Sequence, residues 1–190
     1  MLVFSRIIRM GRAVCRHRLP CLVSLQIDYS LIERTPDRDL LPMAAGLGLG
    51  VTVWSPLAGG LLTGKQFEPG EAKDSRQGNE MVRQFMQSDA RKEAIAREVV
   101  AVARESGHSP AQVALAWLRQ RPQPVIPIIG ARKLAQVKDN LACTDVKLTS
   151  TQTDRLDAVS KIELGFPLDM FTKEMVRSLS SGGMRNQIDA

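Results

Sequence analysis

The stretch from Val51 to Lys65, V-T-V-W-S-P-L-A-G-G-L-L-T-G-K, holds residue types that together can grip a flat, phosphorylated ligand. Trp54 offers an aromatic plane for stacking. Ser55, Pro56, Gly59, Gly60 and Gly64 break an apolar run into a glycine-rich loop, and such a loop can bring backbone N–H groups close to an anion. Val51 and Val53 suit a strand buried on both faces, which puts Trp54 at the strand's C-terminal mouth, where parallel α/β architectures bind ligands. The competing reading of the same residues is a tryptophan that plugs a core beside an ordinary loop.

Other chemistries find little support. Cys15, Cys21 and Cys143 are odd in number and lack C-x-x-C or Cys/His ligand spacing, so neither a disulfide frame nor a metal site is expected, and a reducing, cytoplasmic setting fits best. His17 falls in an irregular head and His108 in a G-H-S-P turn between helices, a surface position. The formal charge of +6 suggests nucleic acid until it is divided. Met1 to Ile27 hold Arg6, Arg9, Arg12, Arg16 and Arg18 without an acidic residue, which accounts for five of the six charges. With aromatics at only 4% and the body's charges balanced, the footprint of a nucleic-acid groove is missing. The head has the composition of a transit peptide but no uninterrupted apolar core, and no stretch approaches a membrane span.

The elements that must position these residues follow from apolar periodicity and punctuation. With 190 residues, 44% of them hydrophobic and 24% charged, the chain can build one core. Leu22 to Leu31 reads as a strand. Thr35-Pro36-Asp37 reads as an N-cap, a proline at the first helical position and an acid in the first turn of a helix running to about Gly46. Val51 to Ser55 is a second strand, followed by a long polar connection from Leu57 to Glu80. A helix from about Ser88 to Glu105 carries Ile95, Val99 and Val102 as one stripe and ends at Gly107. Ser109-Pro110 caps the next helix, with Val113, Leu115, Trp117 and Leu118 on its buried side and Pro122 and Pro124 stopping it. Val125 to Ile129 is a third strand, helices run through about Leu141 and from Thr149 to about Ile162, and a polar tail with a flexible stretch at Ser180 to Gly183 follows Gly165. This alternation implies a parallel α/β fold. Three strands cannot close a barrel of eight, so two apolar sheet edges remain open.

Three segments resemble the C-terminal half of the aldo-keto reductases. They are S-L-Q-I-D-Y-S-L-I-E-R (Ser24 to Arg34), W-S-P-L-A-G-G-L-L-T-G-K (Trp54 to Lys65), and P-I-I-G-A-R with Q-V-K-D-N-L (Pro127 to Arg132, Gln136 to Leu141). The resemblance covers about Leu22 to Ile162, in the family's order and at its spacing. It implies a partial (β/α)8 TIM barrel in which the three strands are the sixth to eighth. It also implies an NADP(H)-dependent oxidoreductase that interconverts carbonyls and alcohols. The expected domains are a basic head over 1–21 outside the family pattern, the half-barrel over 22–164, and a tail over 165–190.

The same resemblance assigns cofactor roles. Gln26 would hold the nicotinamide carboxamide, since a side-chain amide both donates and accepts. Trp54 would stack on the nicotinamide ring, and Ser55, Pro56, Leu57, Ala58 and Gly59 would form the loop over the pyrophosphate. Lys65 and Arg76 match basic residues of that flap, Arg76 with an offset of about one residue. Arg132 would fork onto the adenosine 2′-phosphate, Gly130 would let the backbone approach, and the helix that follows favours negative charge at its N-terminus. Gln136, Asp139 and Asn140, at i, i+3 and i+4 on that helix, present one face to adenine and its ribose.

The family's catalytic Asp, Tyr, Lys and His belong to the first half of the barrel. No residue here matches them, because the one tyrosine, Tyr29, lies in the sixth-strand motif. A chain truncated in this way is expected to be inactive by itself, with a gene fragment, a late start codon and a frameshift as its possible origins. The alternative is a non-catalytic NADP-binding or interaction protein that docks on a partner, or on itself, through the open barrel edge.

Overall fold

In the computed structural model, residues 22–67, 89–182 and 184 are described. They form an α/β fold around a parallel three-stranded sheet of order β1-β2-β3: β1 Ser24–Asp28, β2 Gly50–Trp54 and β3 Val125–Pro127. β1 stops earlier than its apolar run suggests because the Ser30 hydroxyl accepts from the backbone N–H groups of Ile32 (3.2 Å) and Glu33 (3.1 Å), which turns the chain. β3 is likewise cut short at Pro127, although Ile128 N still donates to Val53 O at 2.8 Å.

The helix expected from Thr35 is two pieces, a 3-10 turn over Thr35–Arg38 and α1 over Leu40–Gly46. Thr35 does not cap it. The position before the turn belongs to Arg34, and Asp37 faces inward, where its carboxylate accepts from the Tyr29 hydroxyl at 2.8 Å. The remaining helices keep close to the sequence reading. α2 (Ala90–Ser106) starts at Asp89, whose side chain accepts from Lys92 N, and stops at Gly107 in the left-handed region. α3 (Pro110–Arg119) and α5 (Ser150–Ser160) each open on a reciprocal capping box, Ser109 with Gln112 and Thr149 with Gln152. α4 (Leu134–Leu141) lies between them. The tail is not merely polar coil, because α6 (Leu168–Thr172) and α7 (Glu174–Ser181) form in it.

The core lies on one side of the sheet only. Ile27, Val51, Val53 and Val125 cluster there with Ile95, Val99 and Val102 of α2 and with Val113, Trp117 and Leu118 of α3. α3 is buried from Val113 to Leu118 without a break, so its apolar residues form a helix wrapped on all sides and not a stripe. The expectation of strands buried on both faces is corrected. In register across the other face lie Gln26, Thr52 and Ile126, then Asp28 and Trp54, with Trp54 47% and Ile126 59% exposed. On that face Thr52 and Asp28 are partly buried.

A buried polar cluster fastens the turn after β1 to the helices. Trp117 has the guanidinium carbons of Arg34 and Arg121 each 4.9 Å from its ring centroid, and the Tyr29 ring centroid 5.6 Å away. Its Nε1 donates to Asp157 Oδ1 at 3.2 Å, and the same carboxylate accepts from Arg34 Nη1 at 2.8 Å and Arg121 Nη1 at 3.1 Å.

Candidate functional site

β2 ends at Trp54, and the backbone then enters an unusual path. Ser55 (φ 52°) and Ala58 (φ 47°) occupy the left-handed region that L side chains avoid, and Gly59 (61°), Gly60 (104°) and Gly64 (74°) follow. Holding Ser55 and Ala58 there costs on the order of 1–2 kcal/mol each. The loop is fixed from below by buried Ala58, Leu61 and Leu62, and from within by Ala58 N to Ser55 O (2.8 Å), Gly60 N to Leu57 O (2.9 Å) and Thr63 Oγ1 to Gly60 O (2.6 Å). Gly64 has no room for a side chain, since a Cβ there would lie 2.6 Å from Val100 Cγ2.

Opposite this loop the chain leaves β3 through Ile128, Ile129, Gly130, Ala131 and Arg132 and enters α4. The Gln136 side-chain oxygen accepts from Arg132 N (2.9 Å) and Lys133 N (3.2 Å), fixing the turn and leaving its amide nitrogen as a donor. Asp139 is committed to the neighbouring helix, accepting from Ser109 Oγ at 3.0 Å and Gln112 Nε2 at 2.8 Å. Asn140 is buried.

Between the two segments, past the C-terminal ends of β2 and β3, lies a cavity of about 370 Å³. Ser55, Pro56, Leu57, Gly59, Lys65, Gly130, Arg132, Gln136, Asp139 and Asn140 all line it, so most of the residues singled out in the sequence meet in one place. Four do not. Ala58 is buried beneath the loop, Gln26 and Trp54 stand on the open face of the sheet, and Arg76 lies outside the described residues. Lining residues to which sequence reasoning gave no site role are Thr63, Ser109, Pro110, Ala111, Ile128, Ile129 and Ala131. Ser109 and Pro110 gave only a helix-start signal, and nothing local tells that this helix start faces the loop after β2.

The cavity combines a guanidinium, an ammonium, the N-terminal end of α4 and a strained glycine loop, a set of groups suited to oligoanions. On the open face, Asp28 behaves differently. Burial, and after it the nearby Glu33 carboxylate, pushes its carboxyl from an ordinary 3.8 up to about 6. Burial also raises the Tyr29 hydroxyl, which is fully enclosed and donates to Asp37. Among the described residues there is no metal-binding group of His, Cys, Asp and Glu, and no helix is long and apolar enough to cross a membrane.

The chain is 35% identical over 133 residues to the uncharacterized oxidoreductase YrpG of Bacillus subtilis, a match covering 70% of this chain and 39% of that protein. It is 34% identical over 143 residues to the aldo-keto reductase ausK of Aspergillus calidoustus, covering 75% of this chain and 36% of that protein. The chain therefore spans less than two fifths of the length of these curated relatives. The pattern of the aldo/keto reductase family matches residues 4–161, which takes in residues 4–21 of the basic head expected to lie outside the family pattern. By the extent of that match and by these relatives, the chain belongs to the aldo/keto reductase family.

Proposed function

We propose that this chain forms the cofactor-holding part of an NADP(H)-dependent aldo-keto reductase, corresponding to the sixth to eighth strands of a (β/α)8 barrel. The observation that carries this reading is the cavity itself, which gathers the strained loop after β2, Lys65, Arg132 and the start of α4 around about 370 Å³. That volume falls within the range of small-molecule sites. The donors also fit the group: backbone N–H groups of the Ser55–Gly59 loop and Lys65 suit a pyrophosphate, while Arg132 suits a terminal phosphate dianion. In this reading Gln136 and Asn140 orient the adenosine end. Asp139 acts by holding α4 against α3, because both its oxygens are already used. Gln26 and Trp54 would orient the nicotinamide on the adjacent sheet face. When bound, the dinucleotide would supply or accept the hydride that interconverts a carbonyl and an alcohol.

The one tyrosine of the sequence is not suited to the proton transfer that must accompany that hydride. Tyr29 is fully buried and donates to Asp37, so it cannot reach a carbonyl oxygen. Turnover in this reading needs groups from a further part of the barrel. Titration of the purified chain with NADPH and NADH tests it: saturable binding that favours NADPH supports the assignment, and no binding of either refutes it.

A second reading rests on the open sheet face, where Trp54 and Ile126 are exposed, and on β1 and β3, which form the edges of the sheet among the described residues. It is an NADP-binding or interaction protein completed by a partner or by a second copy across that edge. Sedimentation separates it from the first, since a monomer at micromolar concentration speaks against self-association.

A further inference from the structure

The sheet face that carries Trp54 also carries an acid. Asp28 pairs in register with Trp54 across parallel β1 and β2, so both side chains project from the same face, and Gln26 stands two residues before Asp28 on that face. Among the described residues no hydrogen bond or ion pair engages the Asp28 carboxylate, although it is only partly exposed. The charged group that faces it is Glu33, from the turn after β1, and from β2 it meets the uncharged indole of Trp54. A half-buried carboxyl with an acid for a neighbour lacks a cation.

From this placement we propose that Asp28 discriminates between the redox states of the cofactor: its carboxylate, beside the indole platform, favours the positively charged oxidised nicotinamide over the neutral reduced one. The proposal rests on the reading that the nicotinamide lies against Trp54. The physical argument is the sign of the charge. Oxidised and reduced dinucleotide share the same phosphates, ribose and adenine, and differ here by one positive charge on the ring. An acid on the ring's flank therefore acts on the difference between them, and only while it is ionised. With the carboxyl titrating at about 6, the discrimination turns on across that range. Linkage also requires the converse, that the oxidised cofactor draws the Asp28 titration downward while the reduced one leaves it in place.

The test is calorimetric titration of the full chain with NADP⁺ and with NADPH at about pH 5 and about pH 8, for the unaltered protein and for Asp28→Asn. Phosphate titration affects both ligands alike and cancels in the ratio of their affinities. In the unaltered chain that ratio should shift toward NADP⁺ by about threefold or more on going to the higher pH, the size expected for a partly screened charge pair. In Asp28→Asn the ratio should stay at its low-pH value, and Asp28→Glu should restore part of the shift. A ratio independent of pH in the unaltered chain, or a shift that persists in Asp28→Asn, would overturn the proposal while leaving the cofactor site standing. Failure to bind either dinucleotide would overturn the site reading and this proposal together. Binding that is unchanged in Trp54→Ala would reject the platform on which the proposal depends. Since the Asp28 carboxylate makes no hydrogen bond within the described fold, its replacement by Asn removes no side-chain contact that holds the chain together, which circular dichroism of the variant will verify.

Discussion

Arg34 and Asp157 are separated by 123 positions in sequence, yet Nη1 of one lies 2.8 Å from Oδ1 of the other. The contact joins the turn after β1 to α5 and lies against the Trp117 ring, so one guanidinium is stacked, paired and hydrogen-bonded to the Ser160 hydroxyl at once. Two of the participants, Tyr29 and Arg34, come from the motif that resembles the family's sixth strand. In this chain those residues serve the fold.

Removing that guanidinium should be costly. Arg34→Ala leaves Asp37, Asp157 and Ser160 short of a donor in a largely dry environment, and the expected loss is about 2–4 kcal/mol of unfolding free energy. Urea unfolding followed by far-UV circular dichroism measures it. A loss under about 0.5 kcal/mol would mean the cluster is solvated.

Gly64→Ala should destabilise the chain by about 1–3 kcal/mol, because it imposes a side chain at positive φ and drives a Cβ into Val100. Gly107→Ala is the matched control. It shares the left-handed conformation but has open space around the added Cβ, so it should cost less. Equal midpoints in thermal melts of the two variants would show that the clash is relieved without cost.

Stability should fall as pH rises through the Asp28 titration. The folded value, about 6, is above the ordinary 3.8, so the contribution is fully present below the lower value and is lost as pH passes the higher. Asp28→Asn removes this dependence. Relative to the unaltered chain it should gain about 1 kcal/mol between pH 4 and pH 7, a figure reduced for the group's access to solvent. Urea midpoints of both proteins across that window check the sign, and parallel profiles would contradict it.

Arg132→Ala should weaken NADPH binding by about tenfold or more and leave NADH nearly unchanged, as expected for loss of a charge-assisted contact to one extra phosphate. Fluorescence titration gives both affinities, and an unaltered ratio would reject the role of Arg132 in cofactor choice.

Carbonyl reduction by this chain alone should stay near background, even where NADPH binds. Positioned acid catalysis contributes about 10²- to 10⁴-fold, and Tyr29 is enclosed and engaged with Asp37. NADPH consumption with a panel of aldehydes and quinones measures this. Saturable turnover by protein of verified mass would reveal a proton donor other than Tyr29.

Much of the local architecture was legible in the sequence because it is written in nearest-neighbour chemistry. Ser109-Pro110 with Gln112, Thr149 with Gln152, and Gly107 after its helix are short-range hydrogen-bonding and dihedral signals, and each marks the boundary it should. The three motifs that resemble the aldo-keto reductases were equally plain, since residue type and spacing carry them. What sequence could not decide was which side of each strand would be covered. The apolar character of Val51 to Val53 is the same whether one face or both are packed, and only the tertiary arrangement leaves Gln26, Trp54 and Ile126 open while Val51 and Val53 are sealed beneath α2 and α3. Tertiary structure also separated the roles of residues that look alike on paper. Asp139 belongs to a helix face that could hold a ribose, yet Ser109 and Gln112, some thirty positions earlier, claim its oxygens. Asp37 is the first-turn acid that the sequence implies, and the tertiary structure also makes it the acceptor for Tyr29. In each case the deciding contact is long-range or turns a side chain inward, and its energy depends on burial, a property that no window of neighbouring residues contains.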